Sequence, residues 1–187
     1  SRLTNWVING FYITGANSAG IYLQNEDSFW IKNNIAFNST DGGENNGSFV
    51  LVRTPNSLVQ NNLSELNSGG GVAGAAGFVH GGADSIYEYN ECALTSGVAG
   101  RGRCFYMDSQ SARLINRLSY LRLQNGCDVQ CWRQRDTTDQ IIANNYIYSS
   151  ASQGYAPWVH ENTDAGRIEN HSIHHNTAYF ASGGNGD

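Results

Sequence analysis

Apolar residues in this chain come in short alternating runs, each closed by Gly, Asn, Asp or Ser. Gly20-Ile21-Tyr22-Leu23-Gln24 is one such run. Phe29-Trp30-Ile31-Lys32 and Ile35-Ala36-Phe37 follow it, separated by the pair Asn33-Asn34. The apolar members are aromatic or β-branched, which suits pleated strands with one face buried. None of these runs is long enough for an ordinary helix.

The same sentence recurs down the chain. Aligned on one Asn, the centres read Val7-Ile8-Asn9-Gly10, Ile31-Lys32-Asn33-Asn34, Val59-Gln60-Asn61-Asn62, Tyr87-Glu88-Tyr89-Asn90, Leu114-Ile115-Asn116-Arg117, Ile142-Ala143-Asn144-Asn145 and Ile168-Glu169-Asn170-His171. Successive rows lie 24, 28, 28, 27, 28 and 26 residues apart, a period that signals a solenoid. Alternating apolar residues broken by turns select a β-solenoid over a helical one. The prediction is an all-β fold of about six to seven coils with three short strands per coil. The residue two before the aligned Asn is apolar in all seven rows and is expected to point inward. Beyond the Asn pair, Phe11 and Ile13, Ile35 and Phe37, Leu118 and Tyr120, and Tyr146 and Tyr148 are expected to face in.

A repeated Asn at one bend has a physical reason. One Asn of a pair can take the left-handed backbone that a tight bend requires. The other can turn inward and exchange amide hydrogen bonds with the coils above and below. The row Asn9, Asn33, Asn61, Asn116, Asn144 and Asn170 is assigned as this structural ladder, with Tyr89 interrupting it in the fourth coil.

The Gly-apolar-x-apolar openings, such as Gly20-Ile21-Tyr22-Leu23, and the apolar-x-Asn-Asn-apolar centres, such as Ile31-Lys32-Asn33-Asn34-Ile35, resemble the right-handed parallel β-helix repeats of the pectin-lyase-like superfamily. The resemblance covers essentially the whole chain. It implies a right-handed, single-stranded parallel β-helix, but it leaves function open, because one fold hosts many activities. It also implies a ligand face along the outside of the opening strands and the turn after them. Here that face carries Tyr22, Gln24, Arg53, Tyr106, Asp108, Gln130, Trp132, Arg133, Arg135, Glu161 and Asn162. Aromatic rings stack on sugar faces and Arg pairs with uronate carboxylates, so the implied partner is a polysaccharide or glycan.

The family's catalytic constellations are not legible. The sole lysine, Lys32, lies on the second strand of its coil. Asp108, Glu161 and Arg133 are the candidates closest to a catalytic set. His80 and His160 read as core residues. His171, His174 and His175 crowd the last coil, but strand geometry scatters their rings over two faces, so neither metal nor cofactor is assigned.

Composition narrows the reading further. Net charge is −5, which disfavours nucleic acid. No apolar run approaches membrane-spanning length. Cys92, Cys104, Cys127 and Cys131 are disulfide candidates with three pairings open. Asn38, Asn46 and Asn62 begin glycosylation sequons, as does Asn170. Together these features point to a secreted, extracellular or cell-surface chain. Residues 1–187 read as one β-helix domain, part of a longer protein or of an end-to-end assembly through open ends, because neither end holds a helical cap. The function expected is a structural scaffold that binds or presents carbohydrate. The alternative is a lyase or hydrolase acting on a uronate-containing polysaccharide.

Overall fold

The computed structural model describes residues 3–16, 18–37, 47–66, 76–94, 102–107, 113–123, 129–135, 139–149, 158–161 and 170–180. Among the described residues there are twenty strands, no helix, and only parallel pairings between named strands. The opening sheet holds Ala19–Gln24, Gly47–Val52, Ala76–Gly81, Gly102–Met107, Val129–Arg135 and Trp158–Glu161. The middle sheet holds Val7–Asn9, Trp30–Lys32, Leu58–Gln60, Ile86–Glu88, Ile115–Arg117, Ile141–Ala143 and Ser172–His174. The closing sheet holds Tyr12–Thr14, Ile35–Phe37, Leu63–Leu66, Glu91–Leu94, Tyr120–Leu123, Tyr146–Ser149 and Thr177–Phe180. Consecutive strands enter different sheets, and each strand pairs with its counterpart one coil away. This is the connectivity of a parallel β-solenoid.

Stacking puts like residues over like. Phe78 lies between Phe49 and Phe105 on the inner side of the opening sheet, with ring centroids 5.0 and 4.9 Å apart and planes nearly parallel. Tyr87 of the middle sheet meets Phe78 and Phe105 edge-on, with centroids 6.2 and 6.3 Å away. Small inward residues of the closing sheet, Ala36, Ser64 and Cys92, are all fully buried, and Ser64 bonds the hydroxyl of Ser48 at 2.8 Å. Cys92 and Cys104 form a buried disulfide across a separation of 12 residues, which selects one of the partners left open by the sequence. Gly77 lies beside it, where a Cβ would come within 2.9 Å of the Cys92 sulfur and 3.0 Å of the Cys104 carbonyl oxygen.

The bend between middle and closing sheets has two distinct rows. Gly10, Asn33, Asn61, Tyr89, Leu118, Asn144 and His175 all have positive φ and make the left-handed bend. From Asn33 onward, the residue after each turns toward the core. Asn34, Asn62, Asn90 and Asn145 are buried, and Asn176 is half-buried. Asn62 shows the full pattern. Its Nδ2 donates to the Ile31 carbonyl and to Asn90 Oδ1 at 2.9 and 3.1 Å, and its N–H donates to the same Oδ1 at 3.0 Å. Its own Oδ1 accepts from the N–H and Nδ2 of Asn34, both at 3.0 Å. Ser119 interrupts this ladder, donating its N–H to Asn145 Oδ1 at 2.9 Å.

The ladder therefore exists one residue later than assigned. Asn33, Asn61 and Asn144 are the exposed bend residues instead. Three rows also slip. Asn9 pairs with Lys32, so Gly10 takes the bend. Asn116 pairs with Tyr87 and Ile142 inside the middle sheet. Asn170 lies at the preceding bend, its Nδ2 donating to Asp139 Oδ1 at 3.1 Å. Asn116 is fully buried in the row Ile31, Val59, Tyr87, Ile142, with no hydrogen-bond partner for either amide atom. Leaving such a group unpaired costs about 1–3 kcal/mol.

Beyond the first coil, where Ile13 points in as expected, the inward parity of the closing sheet is the reverse of the expectation. The ladder Asn takes the first inward position, so Ile13, Ala36, Leu121 and Ile147 point in. Ile35, Phe37, Tyr120, Tyr146 and Tyr148 lie at the alternate, outward positions. A shift of one residue moves every side chain to the other face.

Candidate functional site

The opening sheet was the expected ligand face, and its described middle coils are closed. Tyr22 is exposed at the edge. In register with it, Val50, Val79 and Tyr106 form a second buried apolar cluster on the outer side, with Tyr106 only 1% exposed. Tyr106 therefore offers no ring face to a sugar. Arg53 is exposed in the left-handed bend after Gly47–Val52. Trp132 pairs with Phe105 and Trp158, the register of the buried Phe row, because the strand slips three residues from the sequence alignment. Arg133 shares the register of Tyr106, and Arg135 pairs with Glu161. The side chains of Gln130, Cys131, Trp132, Arg133, Arg135 and Glu161 lie outside the described ones. Asp108, Cys127, Asn38, Asn46 and Asn162 lie outside the described residues altogether. Asn62 is no glycan acceptor in the folded chain, because its Nδ2 is buried and twice bonded within the ladder.

The open surface lies on the other side of the Asn bend. A shallow groove of about 350 Å³ is lined by Asn33, Asn61, Tyr89, Ile35, Leu63 and Glu91, with Asn62 behind them. Its geometry follows from the repeat. Asn33, Asn61 and Tyr89 occupy one bend position in three successive coils. Ile35, Leu63 and Glu91 are the first outward residues of the three closing strands. The two columns converge, giving amides and a phenol along one wall and an apolar floor ending in a carboxylate.

Tyr89 is the irregular member. Asn tolerates the left-handed backbone well, whereas an aromatic residue there is strained. Yet Tyr89 holds φ 55° with its ring 52% exposed. Strain of this kind persists where surrounding structure enforces it, and it concentrates at functional positions. The alternation of the sequence marked Tyr89 as an interruption but placed no site there.

Farther along the same face the aromatic character continues. Tyr120 and Tyr146 lie in adjacent coils with centroids 5.6 Å apart and planes tilted by 37°. Tyr148 and Tyr179 stack at 5.7 Å with 14° between planes. Outer residues of a one-sided sheet are ordinarily polar, so this column of exposed rings is the notable departure.

Charged groups elsewhere are engaged in pairing between coils. Arg113 donates its Nε–H and a terminal N–H to the two oxygens of the Asp84 carboxylate, which holds that exposed carboxyl below its ordinary range. Arg117 reaches Glu88 at 2.8 Å. The Lys32 ammonium lies 3.5 Å above the Trp30 ring centroid. His80 is buried as expected, its Nδ1 2.9 Å from the Tyr87 hydroxyl, and burial depresses its pKa to about 3. The strands bring His174 and His175 together rather than scattering them, with Nδ1 atoms 2.8 Å apart on the surface. Among the described residues there is no group of three or more metal-ligating side chains.

No protein-family model, curated protein or solved structure matches this chain.

Proposed function

We propose that the chain is an extracellular or cell-surface β-solenoid module, of the pectin-lyase-like kind in its repeat, that acts as a rigid scaffold and binds carbohydrate on the outer face of its closing sheet. The observation that carries this reading is the groove beside Tyr89. A strained, half-exposed ring there stands next to side-chain amides over an apolar floor. Sugars present apolar C–H faces and a rim of hydroxyls, and an aromatic wall with amide donors and acceptors complements both. The buried disulfide is consistent with an oxidising compartment. The outer face of the opening sheet is less suited to a sugar, because Tyr106 is enclosed there.

A glycan array probed with the intact chain tests the reading, and binding to at least one polysaccharide class is expected. No ligand on the array would overturn it. Incubating the bound polymers with the chain and following reducing and unsaturated ends separates binding from turnover, and no new ends are expected.

A further inference from the structure

Two features of the closing sheet bear on what can lie against it. One is the direction in which its rings are arrayed, and the other is the charge around them. The groove spans three coils, and Tyr120 and Tyr146 continue its outward column into the next two. The column Ile35, Leu63, Glu91, Tyr120, Tyr146 runs parallel to the solenoid axis, with one residue per coil at the strand spacing of about 4.8 Å. A compact ligand would use one part of this column. A linear polymer lying along the axis would use all of it, meeting a new side chain at every coil.

Charge limits which polymer fits. Glu91 lines the groove, and Glu65 is the second outward residue of the strand that contributes Leu63. On the middle sheet Arg117 holds Glu88 and Lys32 lies over Trp30, and on the closing sheet Arg122 shares the register column of Glu65. The whole chain carries a net charge of −5. A polyuronate approaching this face would meet the like charge of the chain as a whole. Carboxylates beside an aromatic wall are instead acceptors for hydroxyl and ammonium groups.

We infer that the outer face of the closing sheet is a multi-subsite platform for a linear, uncharged or amine-bearing hexose polymer laid along the solenoid axis, with Tyr89 as the stacking wall and Tyr120 and Tyr146 as its continuation. The inference rests on the carbohydrate reading above and specifies its ligand class and direction.

Isothermal titration of the full chain with cello-, chito- and chitosan oligosaccharides and oligogalacturonate, each as dimer and hexamer, tests it. Hexamers of the neutral or amino series should bind at least about tenfold more tightly than dimers, and oligogalacturonate should bind most weakly. Tyr89→Asn installs the residue of Asn61 one coil before, and Tyr146→Thr installs the residue type of Thr177 one coil on, so both variants should fold. Each should weaken hexamer binding about tenfold while leaving the circular dichroism unchanged. Glu91→Gln should erase the preference for the amino over the neutral series. If hexamers bind but neither tyrosine variant changes their affinity, the platform is refuted while carbohydrate binding stands. Preferred binding of oligogalacturonate refutes the ligand class. Binding of no oligosaccharide refutes the carbohydrate reading and this inference together.

Discussion

The opening and closing sheets are made from the same alternating strands, yet their outer faces meet opposite surroundings. On the opening sheet Val79 is as buried as the core it backs, while on the closing sheet Tyr146 stands in solvent. The sequences differ accordingly. Phe49-Val50-Leu51-Val52 is a continuous apolar run, the mark of a strand covered on both faces, whereas Tyr146-Ile147-Tyr148-Ser149 alternates. The comparison teaches that an exposed ring is informative only against a neighbouring face that the same chain has covered. The opening sheet spends its outer apolar residues on cohesion, and the closing sheet leaves aromatic ones available.

Replacing one residue on each face breaks the comparison most sharply. Val79→Asp buries an unpaired carboxylate and should destabilise the chain by at least about 4 kcal/mol. Tyr146→Asp, on the wet face, should cost under about 1 kcal/mol. Equal shifts in urea midpoint would mean that the two faces are not different.

Acid should act through the opening sheet. Its inward His80 stays neutral down to about pH 3 when folded and has an ordinary value of 6.5. Between those values the unfolded chain binds more protons. The contribution of His80 is therefore whole above pH 6.5 and declines as pH falls toward 3, by up to about 1.4 kcal/mol per pH unit. Urea titrations at pH 7, 5.5 and 4 should show this slope in the parent and a shallower one in His80→Gln. Parallel slopes would remove His80 as the cause.

The bend that launches the closing sheet gives a smaller effect. Asn62→Leu should cost about 2–3 kcal/mol, because it strips hydrogen bonds from Asn34, Asn90 and the Ile31 carbonyl. Asn61→Gly, one residue earlier, keeps the left-handed backbone and should stay within about 0.5 kcal/mol of the parent. Thermal melts in which the pair behaves alike would contradict the assignment of the two rows. Smallest of all, Tyr146→Thr should melt within a degree or two of the parent, corresponding to less than about 0.5 kcal/mol.

The solenoid was legible from the spacing of short runs, because stacking forces each coil to reuse the same pattern. Ile31, Val59, Tyr87 and Ile142 are inward as read, and Tyr89 does stand in the bend row. Register within a coil was less legible. Asn is frequent in this chain and serves bends, ladder and strand alike, so Asn116 and Asn170 attracted an alignment that Leu118 and His175 occupy in the fold. Parity on the closing sheet inverted for a related reason: an inward polar Asn at its start is indistinguishable in sequence from an outward one. The candidate site was missed because alternation names a face but not its cover. What separates Tyr106 from Tyr146 is the continuous apolar run around the first, a signal that the period of alternation alone does not weigh.

The disulfide between Cys92 and Cys104 also has a mechanical consequence. A solenoid held by nearest-neighbour contacts can peel from either end when pulled, yielding one coil after another. The link joins one closing strand, Glu91–Leu94, to the next opening strand, Gly102–Met107, so the segment between the two cysteines never comes under tension. At about 3.4 Å per residue the extended chain should fall short of its full contour by roughly 35 Å. In a single-molecule stretching record, that missing length would appear as one added step on reduction, marking the fourth coil on the force curve.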